Sequence, residues 1–262
     1  MKRSPLLLLS LFALPLLGQE DIGLMVGKPD PTRAGGVVVP DPGLKLEDPT
    51  IARQEVTRFQ AEMKEARKDD NKQIELIDRM GGFDHPLILG ELRKYVRDRN
   101  HAIAVAACIA VARQPSDADK AGSLLYSTMK AEKRTNIICA CLVGMGRLGY
   151  ENKGAYREAE KLFTKDMSEM HKAATRYFGY LKSKEAFRMI AEKLDEPRST
   201  LPADDPRNPP ASYWKERWEE WASNVYYTRW ALKEIVPGET FETTKEAEQW
   251  AESEGKELGI EW

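Results

Sequence analysis

The sequence predicts an all-α fold: a right-handed α-solenoid with a tryptophan-rich helical cap at its C-terminal end. Apolar residues recur at helical spacing from about position 50 onward, with charged residues between them, which is the pattern of amphipathic helices. Segments of roughly 34 residues resemble one another in the middle of the chain, as expected of helical pairs stacked side by side. All six tryptophans lie at or after Trp214, so the last helices differ in composition from the repeats.

Residues 1–18 have the layout of a secretory signal peptide. Lys2 and Arg3 give a positive start, residues 6–17 are an apolar run, and small and polar residues follow at 18–20, as in exported proteins. A helix of twelve residues spans only about 18 Å, short of the roughly 30 Å of a bilayer core. We therefore expect a periplasmic or secreted protein with no membrane span after signal cleavage. An uncleaved N-terminal helix that anchors the protein to the membrane is the alternative.

Residues 19–48 are expected to form a disordered linker. Prolines and glycines alternate through this stretch, and both residue types interrupt regular secondary structure. The only apolar run of the linker, Val37–Val39, is too short to fold alone.

Helical repeats are predicted over residues 49–197. The pattern becomes helical at Thr50, and a second short helix is expected at about 71–80. The paired helices begin near Asp84, whose side chain is expected to cap the helix that Pro86 enters in its first turn.

The second helices of successive pairs align with one another. A shift of 34 residues places the segment 101–113 on the segment 135–147. The matched pairs are Ile103 with Ile137, Ala106 with Ala140, Ile109 with Val143, and Arg113 with Arg147. A further shift of 33 places Ala140, Gly146 and Leu148 on Ala173, Gly179 and Leu181. Small residues recur at these positions because closely stacked helices leave little room for larger ones.

The segment 173–197 carries a resemblance that can be named. It has paired alanines, an arginine at 176, a glycine-x-leucine turn at 179–181 and a Leu-Asp-x-Pro ending at Pro197. In these features it resembles a HEAT repeat, and the resemblance extends over about 84–197. Tetratricopeptide repeats share the period, and the unit around 150–163 fits them as well, so its assignment stays open. The resemblance to HEAT repeats implies scaffolding or partner binding, with no chemistry in the repeat itself.

The C-terminal part begins after a proline-rich linker at 198–210, and Thr243 with Glu246 predicts a capping box at the start of its last helix. In the helical segment 211–262, Trp214, Trp218 and Trp221 follow one another at i, i+4 and i+7 and so share one helix face. We favour the interpretation that these rings bury the open end of the stack, as terminal repeats require. Contact with a partner or a glycan is the alternative.

Charge and cysteine content limit the possible partners and covalent links. The 40 basic and 42 acidic residues give a net charge of −2, and no basic block is present, which argues against nucleic acid as a partner. Cys139 and Cys141 lie two apart on a predicted helix and so point in different directions. Stacked helix axes lie about 8–10 Å apart, which favours three buried thiols over a disulfide between Cys108 and one of the other two.

The sequence contains no constellation that indicates an enzyme. Residues 144–149 match G-x-G-x-x-G, but the required strand before and acidic strand end after it are missing. We interpret these glycines as helix contacts and a helix terminator. His101 and His171 are expected to be solvated residues at helix starts, and no zinc or calcium pattern accompanies them. We therefore expect no catalytic residues, no cofactor and no metal.

The predicted function is that of a noncatalytic exported scaffold that presents a helical repeat surface to an unidentified protein partner. Arg113, Arg147 and Arg176 are the candidate contact residues on the second helices. The alternative is carbohydrate or cell-wall binding through the face formed by Trp214, Trp218 and Trp221.

Overall fold

A computed structural model describes residues 33, 34, 37–165, 168–199, 201 and 205–262. Within these residues the chain forms eleven α-helices and four strands of two residues each, which confirms the all-α class. The helices are α1 (Pro49–Glu65), α2 (Asp70–Gly81), α3 (Pro86–Leu92), α4 (His101–Val111), α5 (Ala118–Ala131), α6 (Thr135–Arg147), α7 (Lys153–Phe163), α8 (Ser168–Tyr180), α9 (Phe187–Ala191), α10 (Ala211–Ile235) and α11 (Thr244–Ser253). The strands are β1 (Arg33–Ala34), β2 (Val37–Val38), β3 (Leu44–Lys45) and β4 (Phe83–Asp84). The predicted signal peptide lies outside the described residues.

Every second helix belongs to one layer. Helices α2, α4, α6, α8 and α10 pack in that order, each against the next, and we call them the stacking layer. Helices α3, α5, α7 and α9 each pack against the helix that follows them in the chain. The middle of the stack is the most enclosed part, because every residue from Ile137 to Gly146 of α6 is buried.

Glycines allow the helices of the stacking layer to approach closely. A Cβ atom on Gly81 of α2 would lie 2.7 Å from the Cβ of Ala110 in α4, and one on Gly146 of α6 would lie 3.0 Å from the Cα of Tyr177 in α8. Gly149 follows the end of α6 with φ of +64°, a left-handed conformation that ends the helix. The interpretation of the G-x-G-x-x-G segment as helix contacts and a terminator is therefore confirmed.

Two predicted helix caps have different outcomes. Thr243 and Glu246 form a capping box at the start of α11, as the sequence indicates. At α3 the cap is His85, whose Nδ1 accepts a hydrogen bond from the Leu87 backbone at 3.1 Å. The expected cap, Asp84, is instead buried and accepts a hydrogen bond from the Ser116 backbone at 3.0 Å. The prediction for Asp84 is wrong because its carboxylate accepts the hydrogen bond from Ser116, ahead of α5, and does not cap α3.

The segment before α1 differs from the expected disordered linker over its described residues. Strands β1 and β2 pair with each other in antiparallel register, and they lie against α8 and α6 respectively. Strand β3 pairs in parallel register with β4, and Val39 is buried. We call residues 37–48 the N-terminal arm. Proline and glycine prevent long elements here, but they leave enough backbone groups for short ladders.

The C-terminal helices close one end of the stack. The second half of α10 packs against α8, where a Cβ on Gly179 would lie 3.1 Å from the Cα of Ala231. Helix α11 packs against α9. The described residues of the 198–210 linker form no helix or strand. None of the described helices has the length and apolar content needed to cross a bilayer.

Candidate functional site

The N-terminal arm runs across the C-terminal ends of α2, α4 and α6. The arm donates hydrogen bonds to carbonyls that directly follow two of these helices: the Gly43 backbone donates to the Arg113 carbonyl, after α4, at 2.9 Å, and the Leu44 backbone donates to the Gly82 carbonyl, after α2, at 2.7 Å. Leu46 extends the series by donating to the Asp84 carbonyl at 3.1 Å. The arm is therefore bound largely through its main chain.

Arg113, which follows α4, holds the arm from the other direction. Its Nε donates to the Asp41 carbonyl at 2.9 Å, while a terminal nitrogen lies 3.1 Å from the Asp78 carboxylate of α2. The side chain is only 14% exposed. The Asp78 contact fixes the guanidinium, so that the Nε–H group of Arg113 is oriented toward the arm.

Arg147 makes similar contacts at the end of α6, the next helix of the stacking layer. A terminal nitrogen donates to the Pro40 carbonyl at 3.2 Å and lies 3.7 Å from the Asp41 carboxylate. The guanidinium also lies 5.6 Å from the centre of the Tyr180 ring of α8, within cation–π range. We call the surface formed by Gly82, Arg113, Arg147 and Tyr180 the arginine edge.

Arg176 does not belong to this surface as a contact residue. It is fully buried in α8, and one terminal nitrogen donates to the Tyr180 hydroxyl at 3.1 Å. Its guanidinium lies 5.6 Å from the centre of the Tyr180 ring. The structure therefore places Arg176 beneath the edge, where it positions Tyr180.

Sequence reasoning missed Tyr180, although the repeat register contains a signal for it. The 33-residue shift that matches Gly146 with Gly179 also matches Arg147 with Tyr180. Arg176 lies one helical turn earlier, on a buried side of α8. The position at the end of each stacking helix is thus a better guide to this surface than the presence of arginine.

The arginine edge contacts mainly the extended backbone of the arm. The contacts of both arginines include carbonyl oxygens of the arm. The side chain of Asp41 is fully exposed and Leu44 is 69% exposed, whereas Val39 is buried. One apolar anchor and a row of main-chain hydrogen bonds are the features by which sheet-edge and groove sites bind extended peptides.

The tryptophan face lies on the first half of α10, away from the arginine edge in sequence and in its contacts. Trp218 is 46% exposed, and Trp214 is half-buried. Trp221 is also half-buried, and its indole nitrogen donates to the Leu194 carbonyl at 3.0 Å. The favoured interpretation, that this stripe buries the end of the stack, holds in part for Trp221 and does not hold for Trp218.

Two other tryptophans cover the end of the stack. The Trp230 ring contacts Tyr180 at 5.0 Å between ring centres. The Trp250 ring lies 5.6 Å from Phe187 and 5.5 Å from Phe241. Helical spacing pointed to the wrong rings because i, i+4, i+7 shows which residues share a face and not how far the underlying helices extend.

The described residues contain no group of three or more His, Cys, Asp or Glu side chains that could hold a metal ion. His171 is buried, and its Nδ1 lies 2.8 Å from the Phe163 carbonyl. The expectation of a solvated helix-start residue is therefore wrong for His171. Its ring packs on Phe163, with 4.1 Å between ring centres, because the first turn of α8 faces α7.

An open groove of about 860 Å³ lies between α7 and the turn that follows α8. Tyr156 and Tyr177 form part of its wall, and the Tyr156 hydroxyl lies 3.0 Å from the Ser183 hydroxyl. Burial raises the pKa of both tyrosines, so both hydroxyls stay protonated at neutral pH. These two rings thus give the groove no ionised nucleophile at neutral pH.

Comparison of the chain with family models, with curated proteins and with solved structures gives no match in any of the three.

Proposed function

We propose that the protein is a noncatalytic exported scaffold, a right-handed α-solenoid of HEAT-like pairs that binds an extended segment of a protein partner along the arginine edge. The observation that supports this function is the binding of the N-terminal arm by Arg113 and Arg147. Both side chains donate to main-chain carbonyls of the arm. The sequential packing of the stacking layer supports the solenoid arrangement.

The arm defines the chemistry of the segment that the edge accepts. Such a segment is extended, carries proline or glycine, and offers two successive carbonyl oxygens to the two guanidinium groups. Because the arm is tethered beside the edge, it competes at a high effective concentration. A partner segment therefore needs contacts beyond those that the arm makes.

Cross-linking with mass spectrometry in cells tests the proposal on the full chain. The wild type is compared with an Arg113→Ala/Arg147→Ala variant, with a Trp214→Ala/Trp218→Ala/Trp221→Ala variant, and with Arg53→Ala as the control for loss of an exposed positive charge. We expect a recurrent partner that is lost only in the first variant. Its full retention in the variant that lacks both edge arginines would contradict this function.

Carbohydrate or cell-wall binding is the second candidate, and the exposure of Trp218 favours it. An exposed indole ring stacks well on the apolar face of a sugar. Titration with soluble cell-wall glycans should quench tryptophan fluorescence in the wild type and not in Trp218→Ala. A flat titration of the wild type would eliminate this candidate. Partner loss confined to the tryptophan variant in the cross-linking experiment would favour the tryptophan face over the arginine edge.

A further inference from the structure

Two of the three cysteines face each other across the stacking layer. The thiol of Cys141 in α6 lies 3.7 Å, sulfur to sulfur, from Cys108 in α4. Both residues are completely buried. The general spacing of stacked helices argued against this proximity. It fails here because α4 and α6 are closer than average: a Cβ on Gly144 of α6 would lie only 2.8 Å from the Cβ of Ala112.

The third cysteine points elsewhere. The sulfur of Cys139 lies 3.5 Å from the Glu169 carbonyl of α8, on the opposite side of α6 from Cys108. Residues two apart on a helix diverge by about 200°, so Cys139 does not compete for either partner. The odd cysteine count is thereby resolved into one facing pair and one separate thiol.

We propose that Cys108 and Cys141 form a disulfide that links α4 to α6 when the chain folds in an oxidising compartment. Formation of the link requires the two sulfurs to approach from 3.7 Å to about 2.0 Å, by rotation of the two cysteine side chains. The link closes a loop between residues 33 positions apart. This inference does not depend on what binds the arginine edge.

The reaction is thiol–disulfide exchange with an organic disulfide, either oxidised glutathione or the disulfide of an oxidoreductase. One thiol loses its proton, attacks the external disulfide and releases one reduced thiol as a mixed disulfide forms. The second thiol then loses its proton, attacks the mixed disulfide and releases the other reduced thiol. Two protons and two electrons leave the cysteine pair, and the external disulfide accepts both electrons.

Burial determines when this exchange takes place. The thiolate is the reacting form, and burial raises the pKa of the Cys141 thiol well above its usual range. In the folded chain both sulfurs are also closed off from any external disulfide. The link therefore forms while α4 and α6 are assembling, and afterwards it resists reduction for the same reason.

Refolding of the full chain from denaturant tests the proposal. The chain is refolded with a mixture of reduced and oxidised glutathione, remaining thiols are alkylated in denaturant so that buried ones react, and a non-reduced digest is mapped by mass spectrometry. The wild type and Cys139→Ala should both contain a peptide pair linked through Cys108 and Cys141. Cys108→Ala and Cys141→Ala should contain none. Three alkylated thiols in the refolded wild type, or a link that involves Cys139, would overturn the proposal.

A second measurement uses only the wild type, so it stands even where a variant folds poorly. A link that closes a loop of this length stabilises mainly by restricting the unfolded chain. The oxidised protein should unfold at a temperature about 5–10 °C above that of the protein kept reduced by an excess of dithiothreitol. Equal unfolding temperatures together with free thiols in the oxidised sample would count against the link.

Discussion

Glycines at the contacts between stacked helices set the distance between those helices. Gly81 is such a position, since a Cβ there would lie 2.7 Å from the Cβ and 2.9 Å from the Cα of Ala110. Gly81→Ala is expected to lower the free energy of unfolding by about 1–3 kcal/mol, because overpacking outweighs the better helix propensity of alanine. Urea denaturation measures the change.

Gly90 in α3 provides the matched control. It is exposed, and a Cβ there would meet no atom within 4 Å. Gly90→Ala should therefore raise the free energy of unfolding, by up to about 1 kcal/mol. If both substitutions raised the free energy of unfolding, they would refute the close contact between Gly81 of α2 and Ala110 of α4.

His171 makes stability depend on pH. Burial, together with the charges of Lys172 and Lys193, lowers the pKa of its ring from the roughly 6.5 of an unfolded histidine. As the pH falls below about 6.5, the unfolded chain binds a proton that the folded chain does not. The contribution of neutral His171 to the free energy of unfolding is therefore complete above that pH. It is lost as the pH falls further, at no more than about 1.4 kcal/mol per pH unit.

Urea titrations at pH 7.5 and 5.5 on the wild type and on His171→Gln test this prediction. The glutamine cannot titrate but retains a donor for the Phe163 carbonyl, so its stability should change less between the two pH values. His101→Gln, at an exposed position, should behave as the wild type does. An identical pH dependence in wild type and His171→Gln would refute the assignment.

At the scale of elements, the first half of α10 and helix α11 have different roles. The exposed ring of Trp218 contributes little to folding, whereas Trp250 of α11 packs against Phe187 and Phe241. Trp218→Ala should change the free energy of unfolding by less than about 0.5 kcal/mol, and Trp250→Ala should lower it by about 2–4 kcal/mol. Thermal and urea denaturation distinguish the two, and comparable losses would place Trp218 in the core.

The elements also show how far the sequence predicts this molecule. Helix α4, the capping box at Thr243 and the glycines of α6 follow from periodicity and local chemistry, and the structure has all three. The binding of the arm does not follow, because main-chain hydrogen bonds such as that of Leu44 leave no pattern in side-chain type. The burial of His171 depends on which face of α8 meets α7, a property of packing that one helix alone does not reveal.

The candidate site was predictable only in part. The 34-residue shift matches Arg113 with Arg147, at the ends of α4 and α6, so both arginines could be named from the sequence. The sequence could not show that these arginines already bind a segment of their own chain. Nor could it show that Trp218 extends beyond the body of the stack, since that depends on where α8 and α9 end.

For the whole molecule, the order of packing implies that each helix of the stacking layer is stabilised mainly by the helices next to it. In such an arrangement, each unit is stabilised by its own contacts and those with adjacent units. Helix α6, buried between α4, α5 and α8, should exchange its amide hydrogens most slowly. The arm and residues 211–220, which have few buried side chains, should exchange fastest.

Hydrogen exchange on a chain that ends at Pro210 tests this neighbour-by-neighbour stability. The truncation removes α10 and α11, so Gly179 and the face of α8 around it lose their contacts with Ala231 and Trp230. Deuterium uptake should rise strongly in α8 and α9, less in α6, and least in α2, because α8 and α9 pack most extensively against the helices that are removed. An equal rise in α2 and α8 would instead mean that the helices unfold as a single cooperative unit, and the repeat description would then lose its energetic basis.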